Sequence, residues 1–379
     1  MLKCRAVMMH AFVLSVVALF ANEVHAARLR VTPLFTVSYP PPPIALSDDG
    51  GLAFSDRYVF FGTDGGVFRA PLPMGKSTQP VHLAFASTSV TGLQFREGTL
   101  YAILDGMGHS LLKSTDDGVS WTPIDQALEE CAFGHCEFLS ASQLELVGDR
   151  IFVNAGGNVL VSGDEGASWN VLFGATSNGK PQAQACYDPA FAIIGERLLI
   201  GGECPLDVAY LRTGTLRPDL LEWEQEPELA ATPFLENRNV QFIRRRGESN
   251  VVYAGIEGAL MRSGDAGASY DFVLHYEGQA PKYPYITHIL LPSQHRSAIL
   301  IGGFDKANGG PFLSMSTDNG ATWTDQSDLL PGAGHFAWSV TAMEETPNGQ
   351  LVIAVEDDEA GALHLFEVHV PARRRAVRH

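Results

Sequence analysis

One octapeptide, written four times, constrains this chain more than any other feature of it. It reads Ser114-Thr115-Asp116-Asp117-Gly118-Val119-Ser120-Trp121, then Ser162-Gly163-Asp164-Glu165-Gly166-Ala167-Ser168-Trp169. It returns as Ser263-Gly264-Asp265-Ala266-Gly267-Ala268-Ser269-Tyr270 and as Ser316-Thr317-Asp318-Asn319-Gly320-Ala321-Thr322-Trp323. A tight turn needs a residue tolerant of positive φ and a short acceptor side chain to hold its amides. Gly118, Gly166, Gly267 and Gly320 meet the first need, and Asp116, Asp164, Asp265 and Asp318 the second. The closing aromatic (Trp121, Trp169, Tyr270, Trp323) opens the next strand with enough apolar area to be buried between two sheets.

The spacing sets the architecture. Asp116, Asp164, Asp265 and Asp318 stand 48, 101 and 53 residues apart, so the middle interval holds two units. Within it, Leu198 to Gly202, Val208 to Arg212 and Leu221 to Trp223 read as the strands of a unit whose turn has degenerated. Tyr58 to Gly62 with Gly66 to Ala70 form an earlier unit, and Leu351 to Val355 with Leu363 to Val370 a last one. That makes seven. Each carries short β-rich runs separated by Gly, Asn and Asp turns. Repeated four-stranded antiparallel units about an axis describe an all-β, seven-bladed propeller without long exposed edges. The last unit shows only three strands, and Val31-Thr32-Pro33-Leu34 reads like Trp121-Thr122-Pro123-Ile124. The N-terminal segment is therefore expected to supply the missing outer strand and close the ring.

The octapeptides resemble the Asp-box, or BNR repeat, of sialidase-like propellers. The chain as a whole resembles the seven-bladed Asp-box propellers that include photosystem II assembly factors and their relatives, as in Ile151 to Asn158 leading into a box. This resemblance implies a repeat fold and does not fix an activity.

The ends place the chain outside the cytoplasm. Lys3 and Arg5, the apolar run Ala11 to Ala21 and the small-residue site Val24-His25-Ala26 read as a signal peptide over residues 1–26. The propeller is expected over 27–370 and a basic tail over 371–379, where Arg373, Arg374, Arg375 and Arg378 read as solvated. Later apolar runs are too short for a transmembrane anchor. A formal net charge of −17 argues against nucleic acid as a partner. Four of the five cysteines follow the leader, and local order favours the disulfides Cys131–Cys136 and Cys186–Cys204. His135 has no further Cys or His at ligand spacing, and no metal or cofactor is expected. His288 and His295 read as strand or turn residues. The product is expected to be secreted or periplasmic, and monomeric.

Labelling the strands of a unit A to D from the axis outward, the A–B and C–D turns share one face and the B–C and D–A connections the other. The octapeptides are C–D turns and read as structural. Long connections, Leu72 to Ser89 among them, fall on the opposite face, where function is expected. The candidates for ligand binding there are Asp105, His109, Glu203, Asp207, Glu257, Tyr283, Tyr285, Asp305, Glu356, Asp357 and Asp358, beside Asp64, Tyr187, Tyr276 and Trp338. Carboxylates mixed with aromatics suit glycan or cationic ligands, since hydroxyls want acceptors and sugar faces stack on rings.

Two functions follow. The first is a non-catalytic binding or assembly propeller for a protein or glycan partner. The alternative is a carbohydrate-active enzyme of sialidase-like fold. Sialidase chemistry implies three arginines on a substrate carboxylate and a Tyr–Glu nucleophile pair, and on the working face Arg238 is the main arginine. A hydrolase using two carboxylates is compatible with the acidic residues there.

Overall fold

The computed structural model describes residues 28–40, 51–105, 109–126, 128–132, 135–138, 141–155, 158–173, 187–204, 208–217, 220–223, 228–229, 239–276 and 282–371. Residues 1–26, read above as a signal peptide, most of residues 371–379, Cys186, Asp207 and Arg238 lie outside these residues, as do the side chains of Cys131, Cys136, Cys204 and Tyr187.

Among the described residues seven antiparallel blades of four strands each form the fold, one of them with an added fifth strand, beside a separate two-stranded hairpin. Blade 1 pairs Leu52–Phe54, Tyr58–Thr63, Gly66–Pro71 and Val81–Ala84. The inner strands A of the next five blades are Ser89–Arg96, Ala141–Val147, Tyr187–Ile194, Val240–Arg245 and Pro284–Leu290. In blade 7 the strands Trp338–Glu345, Leu351–Asp357 and Ala362–His369 are completed by the N-terminal strand Arg30–Ser38, which pairs antiparallel with Ala362–His369. The first described strand thus lies on the last blade. The fold is an all-β seven-bladed propeller whose one short helical turn is Ser327–Leu329 among the described residues. None of their helices is long and apolar enough to cross a membrane.

One expectation needs correction. Leu72 to Ser89 is not a single D–A link, because Val81–Ala84 forms the outer strand of blade 1. Val81 and His82 are exposed and the strand has no octapeptide before it, so neither an apolar run nor a box announced it. Two further additions decorate the ring. A hairpin, Glu129–Ala132 with His135–Phe138, sets Cys131 opposite Cys136 in register, and Glu228–Leu229 adds parallel to the outer strand of blade 5.

The core is divided as the blades are. Each gap between neighbouring blades holds one apolar cluster, built from inward faces of both sheets. Phe152 and Phe173 of blade 3 meet Phe191 and Ile200 of blade 4, and Leu34, Val37 and Leu365 of blade 7 meet Val59 and Phe61 of blade 1. Hydrophobic burial therefore acts seam by seam, with every blade dependent on two neighbours.

The octapeptides fasten four of these seams. In each, the Ser hydroxyl accepts the glycine amide and donates to the Asp carboxylate, which also holds the amide and hydroxyl of the later Ser or Thr. At blade 3 the distances are 2.8 Å for Gly166 N to Ser162 Oγ, 2.8 Å for Ser168 N to Asp164 Oδ1 and 2.6 Å for Ser168 Oγ to Asp164 Oδ2. Two successive residues are left-handed, not glycine alone: Glu165 has φ 58° and Gly166 φ 89°. A Cβ on Gly166 would lie 2.6 Å from Ile124 O, in the outer segment of blade 2. The turn needs glycine for its conformation and for that close approach together. Trp169 Nε1 donates to the same Ile124 oxygen at 3.3 Å, and Trp323 Nε1 donates to Val273 O of blade 5 at 2.9 Å. The octapeptides of blades 2, 3 and 6 thus rest on the outer segment of the blade before them, and that of blade 5 rests on Leu199 and Thr213 of blade 4, whose hydroxyl donates to Gly267 O at 3.3 Å.

Candidate functional site

Three arrangements of polar side chains occupy the axis and the face opposite the octapeptides. The first is a channel of about 850 Å³ lined by strand A of the blades. Near the octapeptide end it carries Glu145, Arg244, His288 and Glu344. Burial pushes the Glu145 carboxyl up to about 7 against the opposing pull of Arg244, and the carboxylate accepts the Ile193 amide at 3.0 Å. Burial likewise raises Glu344, and it lowers His288 to about 4, with Arg244 adding to the effect. These residues were not among the sequence candidates. Their signal is present, however: Glu145, Glu344 and Arg244 interrupt inner strands that are otherwise mostly apolar, where a charge must face either a partner or an opening.

The second arrangement is at the outer-face loops of blades 5 and 6. Asp305 is buried and shapes the B–C loop of blade 6: its Oδ1 accepts the amides of Tyr283 at 3.1 Å and Ala307 at 3.0 Å, and its Oδ2 accepts Asn308 Nδ2 at 2.9 Å. On the loop so formed, Lys306 Nζ donates to the Tyr285 phenol at 2.6 Å and lies 4.8 Å from that ring's centre. Burial raises the Tyr285 phenol, which Lys306 opposes and the hydrogen bond to Glu257 reinforces. Tyr283 packs edge-on to Tyr285 at 6.2 Å. On the other side of the loop Phe336 is 67% exposed, its ring against Gly309. The sequence candidates Glu257, Tyr283, Tyr285 and Asp305 therefore meet, joined by Lys306 and Phe336, which sequence reading missed.

The third arrangement lies where the ring closes. Asp64 of blade 1, Glu356 and Asp358 of blade 7 bring carboxylate oxygens within 4.8 Å of one another. The Tyr39 hydroxyl, at the end of the closing strand, donates to Glu356 Oε1. Burial, with Asp358 and Asp64 adding repulsion, pushes Glu356 up to about 8, and burial and Asp105 raise Asp64.

The remaining candidates stand apart. His109 Nδ1 lies 2.7 Å from Asp125 Oδ1, Asp357 accepts the Ala360 amide at 3.1 Å in its own turn, and Glu203 lies at the end of strand B of blade 4. Trp338 stacks on His364 at 5.0 Å, and His288 and His295 occupy a strand and a turn as expected. Several arginines reach toward octapeptides or A–B turns: Arg57 and Arg69 bind Asp117, Arg96 binds Gly148 O, and Arg197 binds Asp265 O. Their placement leaves the upper-face phenol beside a lysine.

No family model matches the chain, and no curated protein matches it. Solved structures do. A chain of the mitotic checkpoint complex aligns with TM-score 0.57 at 14% identity, over 89% of this chain and 96% of that one. The WD40 propeller domain of Doa1 aligns with TM-score 0.54 at 10% identity, over 90% and 98%. An ancestral GH74 enzyme aligns with TM-score 0.54 at 12% identity, over 91% of this chain and 49% of that enzyme, so the chain spans about half its length. These likenesses show the fold, which a WD40 domain and a GH74 enzyme share.

Proposed function

We propose that this chain is an exported, non-catalytic binding propeller that recognises a protein or glycan partner through the face opposite its octapeptides. In this reading the octapeptides are Asp-boxes of the sialidase-like kind, serving as fasteners. The observation that carries the reading is the blade 6 platform: a 67% exposed Phe336 on one side of a loop braced by buried Asp305, and the Lys306–Tyr285 pair on the other. An exposed aromatic beside a cation and a phenol, on a rigid support, is the composition that anchors partners. WD40 domains among the structural neighbours support the use of such a scaffold for binding.

A photo-crosslinking residue at position 336 tests this, with position 119 on an octapeptide turn as the control, since Val119 is 65% exposed. Adducts to one protein or glycan species from position 336 and none from position 119 are expected. Equal labelling from both would sink the proposal. Phe336→Ala is expected to weaken capture at least tenfold while moving the unfolding midpoint little, because the ring is exposed.

One observation favours the hydrolytic alternative: the Tyr285 phenol bonded to Glu257 pairs the residue types of a sialidase nucleophile. The partner beside it is Lys306, where that chemistry calls for arginines. The ring-closure carboxylates do not suit a two-carboxylate hydrolase either, because Asp64 and Glu356 are 5% and 3% exposed and leave no room for a sugar between them.

A further inference from the structure

We infer that Asp64, Glu356 and Asp358 form a divalent cation site, with calcium the best-fitting ion, that staples the first blade to the last. Sequence reading expected no metal because it looked for cysteine and histidine spacing. This donor set is instead all oxygen, assembled from the two ends of the chain. Three observations point to an ion.

The first is geometric. The three carboxylates offer oxygens no more than 4.8 Å from one another, which is close enough for one ion with oxygens at about 2.4 Å to be shared among them. Magnesium, at about 2.1 Å, demands a tighter and more regular octahedron. The second is an orphaned acceptor. Asp64 is 5% exposed, and although the Ser89 hydroxyl bonds to its carboxylate, Oδ2 has no hydrogen-bond partner. A buried, unpaired carboxylate oxygen is costly, and an ion removes that cost. The third is charge. Among the described residues, the oxygens that meet here belong to three carboxylates, Asp64, Glu356 and Asp358. Like charges so placed need a shared cation or shared protons.

The surroundings fit a site that opens to solvent on one side. Asp358 is only half-buried and gives access from the upper face, while Tyr39 and the Asp64 amide occupy Glu356 from within. Oxygen donors alone select a hard ion over zinc or copper. The ion would bridge the strand B ends of blades 1 and 7, and through Tyr39 it would hold the end of the closing strand.

The test uses the full mature chain stripped with EGTA, then titrated with calcium chloride by calorimetry and followed by thermal unfolding. Binding of one calcium per chain is expected, with a rise in unfolding midpoint of roughly 3–6 °C at saturation and a weaker response to magnesium. Asp64→Asn is expected to fold, to raise the calcium-free midpoint by relieving repulsion, and to abolish the calcium response. Glu356→Gln is expected to do the same and serves if the first variant does not fold. No calcium binding at millimolar concentration by the wild-type chain, or an unchanged response in both variants, would overturn the site.

Discussion

Asp265 and Glu356 are both acidic residues at seams between blades, yet the fold treats them in opposite ways. At the boxed seam of blade 5, burial pushes the Asp265 carboxyl up, but the hydroxyls of Ser269 and Ser263 and the Ser269 amide outweigh it and hold it at about 2. At the closure seam, burial and two neighbouring carboxylates push Glu356 up to about 8. The boxed seams are finished structures in which the charge is fully hydrogen-bonded. The closure seam gathers three carboxylates, one with a buried oxygen that lacks a hydrogen-bond partner, and it is there that the proposed cation would act. Blade 4, whose box has degenerated, shows a third solution: Gln143 exchanges two hydrogen bonds with Phe191, at 2.8 and 3.1 Å, and Glu145 takes the Ile193 amide. Inner-strand polar contacts there do the joining that a turn does elsewhere.

The comparison breaks most visibly if a box is forced out of shape. Gly166→Val places a branched side chain at φ 89° and into Ile124 O. It is expected to cost about 3 kcal/mol or more, read as a shift in urea midpoint. A cost under 1 kcal/mol would show that the turn does not bear on its neighbour. The next largest effect sharpens the contrast of carboxylates. Asp265→Ala removes an acceptor of three hydrogen bonds, from Ser263 Oγ, Ser269 N and Ser269 Oγ, and should destabilise by about 1–2 kcal/mol. Asp64→Asn in calcium-free buffer should do the reverse. Destabilisation by both, measured side by side, would erase the distinction.

Titration separates the seams further. Asp116 and Asp265 are held at about 2, below their ordinary 3.8, so the stability they contribute is present above pH 4 and is lost as pH falls toward 2. Glu145 is raised from 4.5 to about 7, so its contribution is full below pH 4.5 and is lost as pH rises through 7. Because its carboxylate lines the open channel, the loss should be on the order of 1 kcal/mol. Glu145→Gln is expected to flatten the stability profile between pH 5 and 8 and leave the acid limb unchanged. A variant profile parallel to wild type throughout would contradict that assignment.

The smallest effect concerns the second left-handed position. Ala266 sits at φ 57°, and Ala266→Gly should relieve that strain for a gain of about 0.5 kcal/mol. A loss of similar size would mean that the methyl group, buried in the gap between blades 4 and 5, is worth more than the backbone strain.

Much of the scaffold was legible before any coordinates. The octapeptides gave the turns, their intervals gave the blades, and the likeness of Val31-Thr32-Pro33-Leu34 to a fourth strand anticipated closure by Arg30–Ser38. Repeats are readable because every copy reports the same local physics. The outer strand Val81–Ala84 was missed because an exposed edge strand needs no apolar pattern. Which residues lie on the face opposite the octapeptides was also legible, since every strand B ends there. What could not be read was which residues meet there. Asp64 and Glu356 are almost 300 positions apart and touch only because the ring closes, and Phe336 is marked as exposed by the course of its loop and not by its neighbours in sequence. The channel cluster was missed through attention to loops: charged residues inside inner strands were the available sign.

The most direct test of a binding propeller against a hydrolase is product release from a panel of sialosides and neutral oligosaccharides by residues 27–379, alongside a control in which Glu356, Asp357 and Asp358 are replaced by Ala and another with Glu257→Gln. No release above buffer from any substrate is expected of the wild-type chain. Turnover by the wild type that disappears in either control would contradict the account and make the upper face an active site.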